Sequence, residues 1–156
     1  MTQFLNGGGG GAVLIVADEK TAGTGGGTFT GGAWRTRTLN TVRRNDIAGA
    51  SLASNQVTLP AGEYVVIGEA GADAVNNHQA RLYDATNSAE LVLGTSQQAS
   101  SSNQVHNVSH LRGAFTLSAT AAVELQHDCV STGSFGATGD SGSVETFAVL
   151  EIRKVG

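Results

Sequence analysis

The sequence predicts an all-β fold, a single sandwich of the jelly-roll kind with about eight to ten strands. Three observations point to it. Strand-length runs of alternating or β-branched residues recur along the chain, separated at short intervals by Gly, Asn, Ser and Pro turn signals. No segment holds a helical period. The best candidate, residues 118–123, is a short alanine stretch weakened by Thr120 and Val123. Charged residues make up 14% of the chain against about 25% in ordinary soluble proteins, and Ser, Thr, Asn, Gln and Gly supply the polarity instead. That mixture suits tight turns and faces covered by neighbours. At 156 residues the chain has room for one domain, large enough to hold a core without disulfides or metals.

The elements follow in order. Residues 7–11 are five consecutive glycines, whose entropy cost no helix or strand interior tolerates, so they read as a hinge. Residues 1–12 are therefore expected to form a flexible N-terminal anchor ahead of a domain spanning 13–156. The tip before the hinge carries Phe4 and Leu5, which admit two readings: a docking peptide for a partner, or a frayed terminus. Residues 13–16 form a β-branched buried strand, and 23–27 a glycine loop. In 34–42, Arg35 and Arg37 alternate with Trp34, Thr36 and Thr38, the pattern of a half-buried strand. A short strand at 56–59 and a turn at Pro60-Ala61-Gly62 lead into a strand at 63–68.

Residues 79–84 and 90–95 form a hairpin around Thr86-Asn87-Ser88, and 97–103 is a polar loop. Residues 105–117 hold one or two strands with a bend at Gly113. In 123–129, Val123, Leu125, His127 and Cys129 share one face, and Glu124, Gln126 and Asp128 share the other. A Gly/Ser loop covers 131–143, and 144–155 is the longest strand candidate. That last strand is apolar on both faces, with Phe147 and Val149 on one and Ala148, Leu150 and Ile152 on the other. Such a strand needs a cover on each side, one from its own core and one from a neighbouring subunit. Phe147, Val149, Leu150 and Ile152 are accordingly the candidate interface residues.

Several functions lack their residues. The net charge is −4, and Arg35, Arg37, Arg43 and Arg44 are interleaved with Thr and Asn, so the clustered cations that nucleic-acid binding requires are missing. Cys129 is the sole cysteine, which forbids an intrachain disulfide, and its place in an alternating run reads as a buried thiol. Residues 1–11 have no basic start, and the apolar run 12–17 is too short for a signal h-region or a membrane span. Synthesis in a host cytoplasm without a signal peptide, and no membrane insertion, are the expectations.

Gly139-Asp140-Ser141-Gly142 matches the surroundings of a serine-protease nucleophile. That chemistry needs a positioned histidine and aspartate and two barrels, which this chain is too short to build. The 23–27 loop lacks the Lys-Ser/Thr and helix of a phosphate cradle. His106 and His110 fall on one strand face but about 13 Å apart, too far to share an ion. His127, beside Cys129, reads as a hydrogen-bonded core histidine. No catalytic residue, metal or cofactor is expected.

Several runs together resemble a bacteriophage C1q/TNF-like, jelly-roll virion domain of the tail-fibre family. They are 31–41 (GGAWRTRTLNT), 49–62 (GASLASNQVTLPAG), 78–84 (HQARLYD), 124–129 (ELQHDC) and 149–155 (VLEIRKV). The resemblance covers roughly residues 13–156. It implies a homotrimer, with the N- and C-terminal strands side by side near the threefold axis, displayed on a phage particle. The chain departs from the family in 69–75, where Ala, Gly and Asp stand in place of aromatic and Pro residues.

The leading expectation is thus a non-enzymatic virion structural protein, a trimeric surface knob serving as a tail-fibre or receptor-binding tip. Its partners would be another virion protein, held through the N-terminal tip, and a host surface glycan or protein. Contacts to that ligand would come from loops 71–77, 97–103 and 131–143, with Asp73, Asn76, Asn77 and Asn103 as candidates. A capsid decoration or head-fibre protein is the alternative, and a hydrolase using Ser141 the remote one.

Overall fold

Alternation of apolar residues becomes paired strands throughout the computed structural model, which describes residues 11–156. The candidate anchor residues Phe4 and Leu5 lie outside the described residues. In chain order the strands begin with β1 (Val13–Lys20), β2 (Thr28–Phe29), β3 (Arg35–Thr36), β4 (Thr41–Asn45) and β5 (Ser51–Ala53). Next come β6 (Gln56–Leu59), β7 (Gly62–Asp73), β8 (Asn76–Asp84), β9 (Ala89–Leu93) and β10 (Gln97–Ala99). The last are β11 (His106–Leu117), β12 (Ala121–Cys129), β13 (Gly133–Ser134) and β14 (Glu145–Lys154). No described residue is helical.

The strands form two antiparallel sheets packed face to face. Sheet A runs β11–β7–β14–β1–β4, with β13 pairing the end of β7 and β2 pairing β13. Sheet B runs β10–β8–β12–β6–β5, with β9 also on the free edge of β8 and β3 also on β12. Leu14 and Val16 of β1, Tyr64 and Val66 of β7, and Leu150 and Ile152 of β14 point into the sandwich from sheet A. Leu82 of β8 and Val123 and Leu125 of β12 meet them from sheet B. Tyr64 is buried whole because its hydroxyl donates to the Pro60 carbonyl at 2.7 Å.

Leu150 and Ile152 are fully buried in this core, which corrects their reading as subunit-interface residues. Phe147 faces the other way but is covered by its own protomer: a Cβ on Gly26 or Gly136 would lie 2.9 or 3.0 Å from the Phe147 ring. Phe147 is itself the extra residue of a bulge, since Asp18 pairs with Ala148 and Glu19 with Thr146. Of the four interface candidates, Val149 alone stays half-buried on the outer face of sheet A.

Other segments are more regular than their composition suggests. β11 pairs with β7 over all twelve residues without a bend, and Gly113 is small because Val92 packs 2.8 Å from where its Cβ would be. β7 runs through residues 69–73, so β7 and β11 both exceed β14 in length. The loop expected over 71–77 shrinks to Ala74 and Val75 between β7 and β8, and the 97–103 and 131–143 loops each contain a short strand. Residues 34–42 yield only the two-residue β3 and the start of β4, with Arg37 fully buried between them. Ser54 and Asn55, both at positive φ, close the two-residue hairpin between β5 and β6. At the N-terminal edge, the Ala12 carbonyl accepts Lys154 N–H at 2.9 Å, so the chain is seated on β14 before β1 begins.

Candidate functional site

The outer face of sheet B carries a groove of about 530 Å³ whose walls include Trp34, Asn77, Gln79, Gln98 and Asp128. Register explains the assembly. Asp128 of β12 lies opposite Gln79 of β8, and Asn77 lies opposite Gln98 of β10, so alternate residues of three strands converge. Trp34 enters from the residue before β3, which pairs with β12 at Gln126 and His127.

The indole is held from one side. The Arg81 guanidinium lies 4.1 Å from the Trp34 ring centroid and 4.5 Å from that of Tyr83. Arg81 is itself fixed by Gln126 Oε1 at 2.8 Å and Glu90 at 3.3 Å. Gln126 Nε2 donates to Glu124 at 2.6 Å, whose other oxygen accepts Gln56 at 3.1 Å. Gln79 Nε2 donates to the Gly94 carbonyl at 2.8 Å. Asp128 Oδ1, in contrast, is shielded from solvent with no hydrogen-bond partner among the described residues.

Beneath the groove runs a buried polar chain. Arg37 Nη1 donates to the Gly71 carbonyl at 2.7 Å and lies 3.1 Å from His127 Nδ1. Its Nη2 donates to the Phe147 carbonyl at 2.9 Å, and its guanidinium stacks 3.8 Å from the Phe135 ring centroid. Asp18 stands 4.0 Å away. His127 Nε2 in turn lies 2.9 Å from His78 Nδ1.

Because an arginine only donates, His127 Nδ1 must accept, and its proton sits on Nε2. His78 Nδ1 then accepts from His127, and the His78 proton sits on its own Nε2. That N–H is buried and unpartnered among the described residues, and His78 is part of the groove lining.

The pKa shifts agree with this order. Burial, followed by Arg37 and His78, pushes His127 down to about 2. Burial, followed by His106 and Arg37, lowers His78 to about 4. Both rings are neutral at pH 7. Burial lowers Arg37 to about 9 against the opposing pull of Asp18, so it stays charged there. Burial and then Asp128 raise the Cys129 thiol to about 11 despite Arg35, and its Sγ lies 3.2 Å from the Ser131 carbonyl oxygen. Cys129 is thus a protonated, buried thiol.

The expected contact residues separate. Asn77 lines the groove. Asn76 instead ties loops together, donating to Ser131 Oγ at 2.7 Å and accepting Ser101 N–H at 3.1 Å. Asp73 ends β7 in register with His106, and Asn103 is exposed in the loop before β11. Ser141 lies in an exposed turn where its Oγ accepts Ser143 N–H at 3.3 Å, with no histidine bonded to it among the described residues. His106 and His110 are both exposed on the outer face of sheet A.

Arg43 and Arg44 meet Glu19 and Asp46 within the chain, at 2.6 and 2.5 Å. Sequence reasoning passed over Trp34, Gln79, Gln98 and His78 as site residues. The one available signal was the polar face of 123–129, which already set Asp128 outward.

No family model and no curated protein matches the chain in sequence. Solved structures match its shape. Murine APRIL at pH 5.0 superposes with a TM-score of 0.59 at 10% identity, covering 92% of this chain and 98% of that one. The globular domain of zebrafish complement 1qA gives 0.58 at 14% identity, over 94% and 98% of the two chains. Eiger TNF from S. frugiperda gives 0.58 at 12% identity, over 94% of each. The chain therefore has the TNF/C1q-like jelly-roll fold.

Proposed function

We propose that this chain is a non-enzymatic structural protein of a bacteriophage virion, a homotrimeric surface knob acting as a tail-fibre or receptor-binding tip. The observation that carries the reading is the outer face of sheet A. Ile15 of β1, Val149 of β14, and Val65 and Ile67 of β7 all face outward there, and Ile67 is 49% exposed. Glu69, Glu151, Arg153, His110 and Arg112 interrupt the apolar residues. Apolar side chains left exposed in the middle of a sheet gain by being covered, and a second copy of the chain, whose charged residues can meet these, would supply that cover.

Three copies follow from the sequence resemblance, whose family sets its terminal strands beside a threefold axis. β1 and β14 are paired neighbours in the middle of this face. Phe4 and Leu5 would anchor the knob to another virion protein, leaving sheet B to face outward.

Gold-labelled antibody against this protein on intact phage particles, viewed by electron microscopy, tests the reading. Label at the tail tip is the expected result. Label over the capsid would instead make it a decoration protein, and unlabelled particles would overturn the virion role.

A further inference from the structure

We infer that the groove at Trp34 and Asp128 is a binding site for an uncharged saccharide, the first sugar contact of a surface glycan. The inference deepens the receptor-binding reading and rests on it for the source of the glycan. A pyranose ring has an apolar C–H face and a rim of hydroxyls, each of which both donates and accepts. The groove offers the complement of both. Trp34 supplies a flat apolar wall, kept in place by Arg81 stacked 4.1 Å from its centroid. Asn77, Gln79 and Gln98 supply amides, which donate and accept on one side chain.

Asp128 of β12 adds a carboxylate to the same wall, an acceptor whose Oδ1 has no donor among the described residues. A sugar hydroxyl donates to that carboxylate, while the amides both donate and accept. The volume falls within the ~300–1,000 Å³ of small-molecule sites.

Charge decides which sugar. Asp128 is the one carboxylate in the groove lining, and no Lys or Arg contributes to that lining; Arg81, on Trp34, is already paired with Glu90. A sialic acid, sulfated or phosphorylated ligand would meet that carboxylate before any cation. A neutral hexose or N-acetylhexosamine brings no charge against it. The groove also opens on sheet B, away from the apolar face of sheet A, so trimer assembly leaves it accessible.

Trp34 is the only tryptophan in the chain, so intrinsic indole fluorescence reports this groove alone. The full chain would be titrated with methyl glucopyranosides, methyl galactopyranosides, N-acetylglucosamine, N-acetylgalactosamine and, as the anionic comparator, N-acetylneuraminic acid. Saturation-transfer NMR on the same samples supplies a second readout. At least one neutral sugar is expected to give a saturable emission change and saturation transfer. Asp128→Asn should weaken it at least tenfold, Gln98→Ala should weaken it less, and Thr58→Ala, far along sheet B, should leave it unchanged. Trp34→Phe, read by NMR, should also weaken it, with thermal melts checking that each variant is folded.

The inference is overturned if no neutral sugar in the panel saturates the signal, if only the anionic sugar does, or if Asp128→Asn binds as wild type. Tail-tip gold label together with failed sugar binding would leave the receptor-binding reading standing without this groove. Sugar binding by a protein that labels no particle would do the reverse.

Discussion

The two outer faces of this sandwich are made by the same strand alternation and could hardly differ more. On sheet A the outward positions of β1, β7 and β14 set the apolar Ile15, Val65, Ile67 and Val149 among Glu69, Glu151 and Arg153, with an Arg153–Glu151 ion pair at 2.6 Å between neighbours on one strand. On sheet B the outward positions of β8 and β12 are Asn77, Gln79, Arg81, Tyr83, Glu124, Gln126 and Asp128, of which Arg81, Gln126 and Glu124 are tied into one chain of hydrogen bonds. An apolar sheet face gains by being covered, whereas a polar face with fixed side chains gains by recognising something. On the proposed reading, one fold separates assembly from display by putting them back to back. The buried Arg37–His127–His78 chain crosses the interior between them, linking β14 and β7 of sheet A to β12 and β8 of sheet B.

The largest effect is expected from cutting that link. Arg37→Met leaves the Gly71 and Phe147 carbonyls and His127 Nδ1 without their shared donor and removes the charge 4.0 Å from the Asp18 carboxylate. A loss of about 3–5 kcal/mol is expected in urea unfolding, and both faces should lose order together. A smaller but still clear effect should follow from Ile67→Glu, which places a charge in the middle of the proposed contact. On the order of 100-fold weaker self-association is expected by sedimentation, since a buried Ile contributes roughly 1.5–3 kcal/mol.

Acid should come next. Both histidines titrate lower in the folded protein than the ordinary 6.5, His78 at about 4 and His127 at about 2. The unfolded chain therefore takes up protons first as pH falls. Stability is full above about pH 6.5 and declines below it, through pH 4 and on toward pH 2. The loss between pH 7 and pH 4 should be on the order of 1–3 kcal/mol by urea unfolding, and His127→Gln should flatten that limb. The smallest effect should come from Thr58→Arg on the polar sheet, within about 0.5 kcal/mol of wild type and with assembly unchanged. A large shift there would erase the distinction between the faces.

Much of this was legible before the structure. The strands at 13–16, 56–59, 63–68, 79–84 and 123–129 lie inside observed ones, because their residues alternate against a single core. The core place of His127 was legible too, since its neighbours at even spacing are Leu125 and Cys129. What could not be read was anything set by partners distant in sequence. Leu150 and Ile152 share their strand with Val149, and only the pairing of β14 with β1 and β7 shows which side meets the core. Arg37 looks like a surface residue until Gly71, Phe147 and His127, far along the chain, bring it acceptors. Gly71 reads as a loop residue and Gly113 as a bend, yet both sit in strands where a neighbour occupies the space a Cβ would need. The groove is the extreme case, assembled from the register of β8, β10 and β12.

Sedimentation equilibrium of the full chain, across concentrations from high micromolar to low nanomolar, tests the central claim most directly. The account predicts a species of three times the 15.8 kDa protomer mass, reduced to folded monomer by Ile67→Glu and left intact by Thr58→Arg. A wild-type chain that sediments as a folded monomer throughout would contradict it, because the apolar face of sheet A would then stand in water uncovered.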